Sequence, residues 1–276
     1  MAFRIGGSAR RSGTEESRAG GNGVGRTNGA DVDDAVDEPV DAVRPHFQLG
    51  LEPMLGAAGW HKPSSPTLIE IDRIFVQVFA LVGEAIAGAT HALLAGDREA
   101  AKQLVQRDEM VDVLIGQISQ VAQQQLVHGE TYADERRELV AVLRMLPDLE
   151  RNGDLAEHIA RRAARGLGAE MSARSRGLVE RMGEVATTIW SSTADAFAER
   201  SVSGANYVDD LDDELDDLHV TLTAELVAGT MSLPVAIELA MVARFYERFG
   251  DHAVNLARRM AALVTGGPEP GTSGAD

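Results

Sequence analysis

The sequence predicts an all-α protein made of two tandem three-helix bundles, six long antiparallel helices in all. Three observations carry that reading. From Pro66 to Thr265 apolar residues recur at three- and four-residue spacing, the period of a helix with one buried face. Between Thr67 and Thr265 only two prolines interrupt the chain, Pro147 and Pro234. A thirteen-residue segment in this region occurs twice, each time behind a second repeated motif. Composition agrees: 44% of residues are hydrophobic but only 4% are aromatic, which fits helix packing better than a β-sandwich.

The elements follow in order. Ser65 before Pro66 reads as a helix start, a capping oxygen followed by a residue whose missing N–H costs nothing in the first turn. The stripe Ile71, Ile74, Phe75, Val78, Val82, Ile86, Ala89 and Leu93 then runs to Gly96. Asp97 caps helix two, which carries Leu104, Val111, Leu114, Ile115 and Ile118 and stops at Gly129. Helix three opens near Asp134 and runs through Leu139, Leu143 and Leu146 to about Gly166, with Pro147 expected to bend it. Helix four is expected from about Ala169 to Arg200. Helix five spans about Ala205 to Ala228, with Val208, Leu211, Leu215, Leu218 and Leu222 in register. Helix six begins at Ser232, places Pro234 in its first turn and ends near Thr265. Helices of this length joined by short turns pack as antiparallel bundles.

The ends of the chain read differently. The first 66 residues hold 11 of the 28 glycines and 5 of the 9 prolines, with an acidic patch, DVDDAVDEPVD, and little to bury. Residues 1–64 are therefore expected to be a disordered Gly-rich and acidic tail, and 266–276 a second loose tail. Between them lie repeat one (65–167) and repeat two (168–265). Met54 is a second candidate start of translation.

The net charge of −17 argues against a sequence-independent grip on nucleic acid, where cations must displace counterions from phosphates. With no cysteine there is no disulfide, no thiolate nucleophile and no sulfur-bound zinc or iron–sulfur site. The longest stretch free of Asp, Glu, Lys and Arg, Val113 to Gly129, holds five Gln, so no membrane insertion is expected. The N-terminus has no apolar run of signal-peptide length. A cytoplasmic protein is the expectation.

The repeat carries the chemistry. ERNGDLAEHIARR (Glu150–Arg162) and ERFGDHAVNLARR (Glu247–Arg259) are identical at eight of thirteen positions. Upstream stand DEMVDVL (Asp108–Leu114) and DDELDDL (Asp212–Leu218). Residues at i and i+4 share a helix face. Asp108 therefore neighbours Asp112, Glu150 neighbours Asp154, Asp212 neighbours Asp216 and Glu247 neighbours Asp251. Glu150 continues the Leu139–Leu143–Leu146 stripe, Asp108 falls between Leu104 and Val111, and Glu247 continues a row of Ala236, Ala240 and Ala243. Like-charged carboxylates beside an apolar stripe need a cation or a raised pKa. An all-oxygen cluster suits hard or borderline ions: Mg, Mn, Fe or Zn. The bland alternative is a solvated acidic face salt-bridged by Arg151 and Arg248. His158 and His252 flank the acidic pairs and are expected mainly in packing or surface hydrogen bonds.

E-R-x-G-D in the third helix of a three-helix unit, twice over, with D-x-x-x-D in the second helix, resembles the PhoU family, regulators of phosphate transport and phosphate-responsive signalling. The resemblance spans about Thr67 to Thr265. It implies two PhoU repeats and a homodimer. It also implies metal ligated by Asp108, Asp112, Glu150 and Asp154 in the first copy and by Asp212, Asp216, Glu247 and Asp251 in the second. Pro147, Asn152, Leu155 and His158 set the first copy apart, so the second is the closer match. The implied role is a non-enzymatic adaptor that restrains the ATPase of a phosphate ABC transporter and damps a sensor histidine kinase. The alternative is a ferritin-like di-metal oxidase or storage bundle. Such sites want two Glu-x-x-His units, and the nearest approach here is Asp216 with His219, once. A metal-free helical interaction module is a third reading. No hydrolase or phosphate-loop motif is present.

Overall fold

The computed structural model describes residues 63, 65–201, 203–229 and 231–265, with side chains 203–206 excepted. The expected tails, 1–64 apart from Pro63 and 266–276, lie outside the described residues, as does Met54. Six long helices account for almost everything described: α1 (Pro66–Ala95), α2 (Arg98–His128), α3 (Ala133–Ala164), α4 (Ala173–Glu199), α5 (Ser203–Ala228) and α6 (Leu233–Thr265). No strand occurs among the described residues.

Local chemistry sets the boundaries. The Ser65 hydroxyl accepts from the Leu68 N–H at 3.2 Å. The Asp97 carboxylate accepts from the N–H groups of Glu99 (3.1 Å) and Ala100 (3.0 Å). Each satisfies donors that a helix N-terminus leaves open. Helix four starts later than its sequence pattern suggests. A single 3₁₀ turn, Leu167–Glu170, precedes it, and Ser172 caps α4 through the Ser175 N–H at 3.0 Å. The cause is a close approach: a Cβ on Gly168 would collide with the Leu93 carbonyl oxygen. Arg176 holds this corner together, donating to the Leu94 carbonyl and, at 2.6 Å, to that of Gly168.

Four helices form the centre. α1 packs on α3 and α4, and α6 packs on the same two. α2 lies along α1 and α3, and α5 along α4 and α6, so each repeat contributes two inner helices and one outer helix. The two bundles thus share one continuous core. Ile71, Phe75, Val78, Val82 and Ile86 of α1 are completely buried, as are Leu139, Met145 and Leu149 of α3 and Tyr246 and Phe249 of α6. Aromatic rings stitch the repeats: Phe75 stacks on Phe197 at 4.8 Å and Trp190 meets Phe79 at 5.0 Å, while within repeat two Trp190 meets Phe249 at 5.4 Å. Several polar groups in this core are paired. The Trp190 indole donates to the Phe79 carbonyl at 2.8 Å, and the hydroxyls of Thr90 and Tyr246 meet at 2.6 Å. α1 is long and apolar enough to cross a membrane by length and composition, with a mean hydropathy of 1.6 over its most apolar stretch. Here its apolar face is spent on the protein core.

Candidate functional site

The repeated carboxylates fall where an outer helix meets an inner one. In the second copy, α5 carries Asp212 and Asp216 one turn apart, beside the fully buried Leu215. α6 brings Gly250 against them so closely that a Cβ there would collide with Asp212 Oδ1 and lie 3.0 Å from Leu215. The glycine is what lets an acidic side chain lean onto the inner helix. Burial pushes the Asp212 carboxyl up to about 7, helped by the charges of Asp251, Asp216, Glu247 and Asp209. Glu247 and Asp216 are also raised, first by burial and then by Asp251. All four expected residues of this copy therefore share one electrostatic environment. Asp212 Oδ1 and Glu247 Oε2 are buried without a hydrogen-bond partner among the described residues, while Glu247 Oε1 pairs with Arg244.

The first copy repeats the design with one exchange. A Cβ on Gly153 would lie 3.3 Å from Asp108 Oδ1 and from Val111. The Asp108 carboxyl is pushed up to about 6 by burial, then by Glu157, Asp112 and Asp154, with Arg161 opposing. Asp154 is raised by burial and by Asp112. Glu150 does not join them: it is exposed, and it is absent from the charges that act on Asp108. Glu157, only 8% exposed and paired with Arg161 at 2.5 Å, stands in that environment instead. Comparison of the repeats misses Glu157 because the second copy has Val254 there. The signal that finds it is its position four residues after Gly153, on the face turned toward α2.

The flanking histidines have other partners. His158 Nδ1 lies 2.6 Å from the Asp154 carbonyl, and His252 Nδ1 lies 3.0 Å from Asp148 Oδ1. Arg161, Arg162, Arg258 and Arg259 form ion pairs with Glu157, Glu238, Asp209 and Asp148 respectively. Arg151 and Arg248 form no ion pair within 4 Å among the described residues, and act on Asp154 and Glu247 respectively only at longer range. Asn152, fully buried where the second copy has Phe249, finds no partner for either amide atom.

Among the described residues no three acidic or imidazole groups converge tightly enough to hold an ion as the side chains stand. Each copy nevertheless gathers carboxylates, and burial raises the pKa of Asp108 and Asp154 in the first and of Asp212, Asp216 and Glu247 in the second. The second copy adds two orphaned oxygens. Such a set can take up protons or a hard cation, and it offers no nucleophile with an adjacent base.

A family model described as the PhoU domain matches this chain twice, over residues 75–163 and 179–260. The chain is 33% identical over 202 residues to the phosphate-specific transport system accessory protein PhoU homolog 1 of Mycobacterium tuberculosis, covering 72% of this chain and 91% of that one. It is 29% identical over 206 residues to the corresponding homolog of Rhizobium meliloti, covering 73% and 86%. The crystal structure of PhoU from Pseudomonas aeruginosa superposes with a TM-score of 0.68 at 28% identity, over 72% of this chain and 98% of that one. Both domain matches enclose the glycine-to-aspartate contacts between outer and inner helices, Gly153 with Asp108 and Gly250 with Asp212. With two matched domains, each a three-helix unit bearing the same contact, this chain belongs to the PhoU family.

Proposed function

We propose that the protein is a cytoplasmic, non-enzymatic regulator of phosphate uptake and of phosphate-starvation signalling. It acts negatively on a phosphate ABC transporter through its ATPase and on a sensor histidine kinase, as a homodimeric, metal-binding adaptor. The observation that carries the reading is family membership across both repeats, together with relatives named as accessory proteins of the phosphate-specific transport system. Deleting the gene is expected to derepress phosphate-starvation genes in phosphate-rich medium, and unchanged expression would sink the assignment.

The metal part rests on the second copy. Its buried, unpartnered oxygens on Asp212 and Glu247 suit a cation, and Asp216 and Asp251 complete the donor set. A bound Mg, Mn, Fe or Zn ion would neutralise this cluster and clamp α5 to α6. In the first copy Asp108, Asp112 and Asp154 would take the same part, with Glu157 better placed than Glu150. Glu247→Ala with Asp251→Ala is expected to lower the metal content of the purified protein. In the first copy Glu157→Gln is expected to lower it more than Glu150→Gln, as elemental analysis would read. No observation favours the oxidase alternative: His219 stands alone, its pKa lowered by burial and by Arg244.

A further inference from the structure

A basic concavity of this acidic molecule lies between the two inner helices that carry the repeated motif. It is a groove of about 450 Å³ between α3 and α6. Three arginines line it: Arg151, Arg244 and Arg248. Arg151 and Arg248 hold the same position in the two motif copies, each directly after the motif's glutamate. The duplicated sequence thus places carboxylates at two separate outer seams and brings its two arginines, with Asp154, to one shared groove.

Their pairing distinguishes them from the other basic groups of the groove. Arg244 is tied to Glu247, and His252 is engaged by Asp148. Arg151 and Arg248 form no hydrogen bond or ion pair among the described residues, and Asp154 is the one carboxylate in the lining. In a chain of net charge −17, where most arginines of these helices are matched to an acid, two unmatched guanidinium groups in one concavity form a local anion trap. The planar guanidinium fork fits phosphate oxygens two at a time. The groove is far larger than a phosphate ion needs and falls in the range of small-ligand pockets, roughly 300–1,000 Å³. Beside the arginines it offers apolar surface from Leu155 and from Met241, which is 40% exposed.

We propose that this groove binds a phosphorylated small molecule of the nucleotide class, with the phosphate on Arg151 and Arg248 and the organic part against Leu155 and Met241. The site adjoins the carboxylate clusters, since Asp154 lines it and Arg244 pairs with Glu247, but it does not rest on the regulatory assignment. Its test uses purified full-length protein alone, so its failure and that of the regulatory reading are distinguishable.

The experiment is isothermal titration in EDTA with AMP, ATP and inorganic phosphate as probes. The nucleotides are expected to saturate a single site and to bind at least about tenfold tighter than inorganic phosphate. Arg151→Gln with Arg248→Gln should weaken nucleotide binding by about tenfold or more. Helical circular dichroism should stay unchanged, and Arg174→Gln, on α4 and outside the groove, should bind like the parent. Met241→Ala should weaken nucleotide binding and leave that of inorganic phosphate alone. Four results would overturn the proposal: no saturable binding, equal affinity for inorganic phosphate, full affinity in the double arginine variant, or preference for an acidic peptide over both nucleotides.

Discussion

Asp212 and Gly250 form a pair whose energies can be separated. The aspartate leans on the inner helix only because the glycine has no side chain. Gly250→Ala therefore forces a carboxylate oxygen and Leu215 aside, and is expected to destabilise the fold by about 1–3 kcal/mol in urea unfolding. Gly177→Ala supplies the control. That position is exposed on α4 with open space around it, so the same change should stabilise by about 0.5–1 kcal/mol. The aspartate itself sets a pH dependence. Its carboxyl is raised from 3.8 to about 7 in the folded protein, so between those values the folded state binds more protons than the unfolded state. Stability must then fall as pH rises through that window. Metal-free protein is expected to be more stable at pH 5 than at pH 8. Asp212→Asn should flatten that slope and gain on the order of 1–2 kcal/mol at pH 8, the full electrostatic effect being cut by solvent screening. A variant with an unchanged slope would place the titration elsewhere.

Helix ends show how one side chain can organise several elements. Arg176, from the first turn of α4, donates to carbonyls at the end of α1 and in the 3₁₀ turn. These acceptors are left over where helices stop, and a charged donor to such groups contributes about 1.5–3 kcal/mol. Arg176→Met keeps the bulk of the stem and removes the donors. It is expected to lower the urea midpoint by that order, with the helix content of the folded baseline intact. Sequence reasoning finds Ser65, Asp97 and Gly129 as boundaries because a cap is a local device, written in the residue that makes it. It places helix four's start early because Gly168 serves a contact with Leu93, some 75 residues away in sequence, which no window along the chain contains. The carboxylates divide in the same manner. Spacing of four joins Asp212 to Asp216 and Glu247 to Asp251 correctly, since that is helix geometry. Whether Glu150 or Glu157 meets Asp108 depends on how α3 lies against α2, and the repeat gives no guidance where the two copies differ.

At the scale of the whole molecule, the inner and outer helices differ in how much holds them. α1 buries a continuous apolar stripe between α3 and α4 and touches α2 as well. α2 packs mainly through Val111, Ile115, Ile118 and two alanines, and α5 through Val208, Leu215 and Leu222, with acidic side chains on the same seams. Because one core joins both repeats, the inner four helices should unfold as a unit, whereas α2 and α5 can open against it locally. Native-state hydrogen exchange is expected to show this order: amides of α2 and α5 exchange through openings cheaper than global unfolding, and those of α1, α3, α4 and α6 only near the global limit. The same measurement bears on the clusters. Carboxylates that repel one another across the α5–α6 seam favour opening of α5, and a cation held between them would reverse the sign. Adding a divalent ion that binds should slow exchange in α5 well before it affects α1, and Asp212→Asn with Glu247→Gln should abolish the slowing. Equal protection of all six helices in the metal-free protein would mean that the outer helices are as firmly bound as the core. The clusters would then have no opening to control.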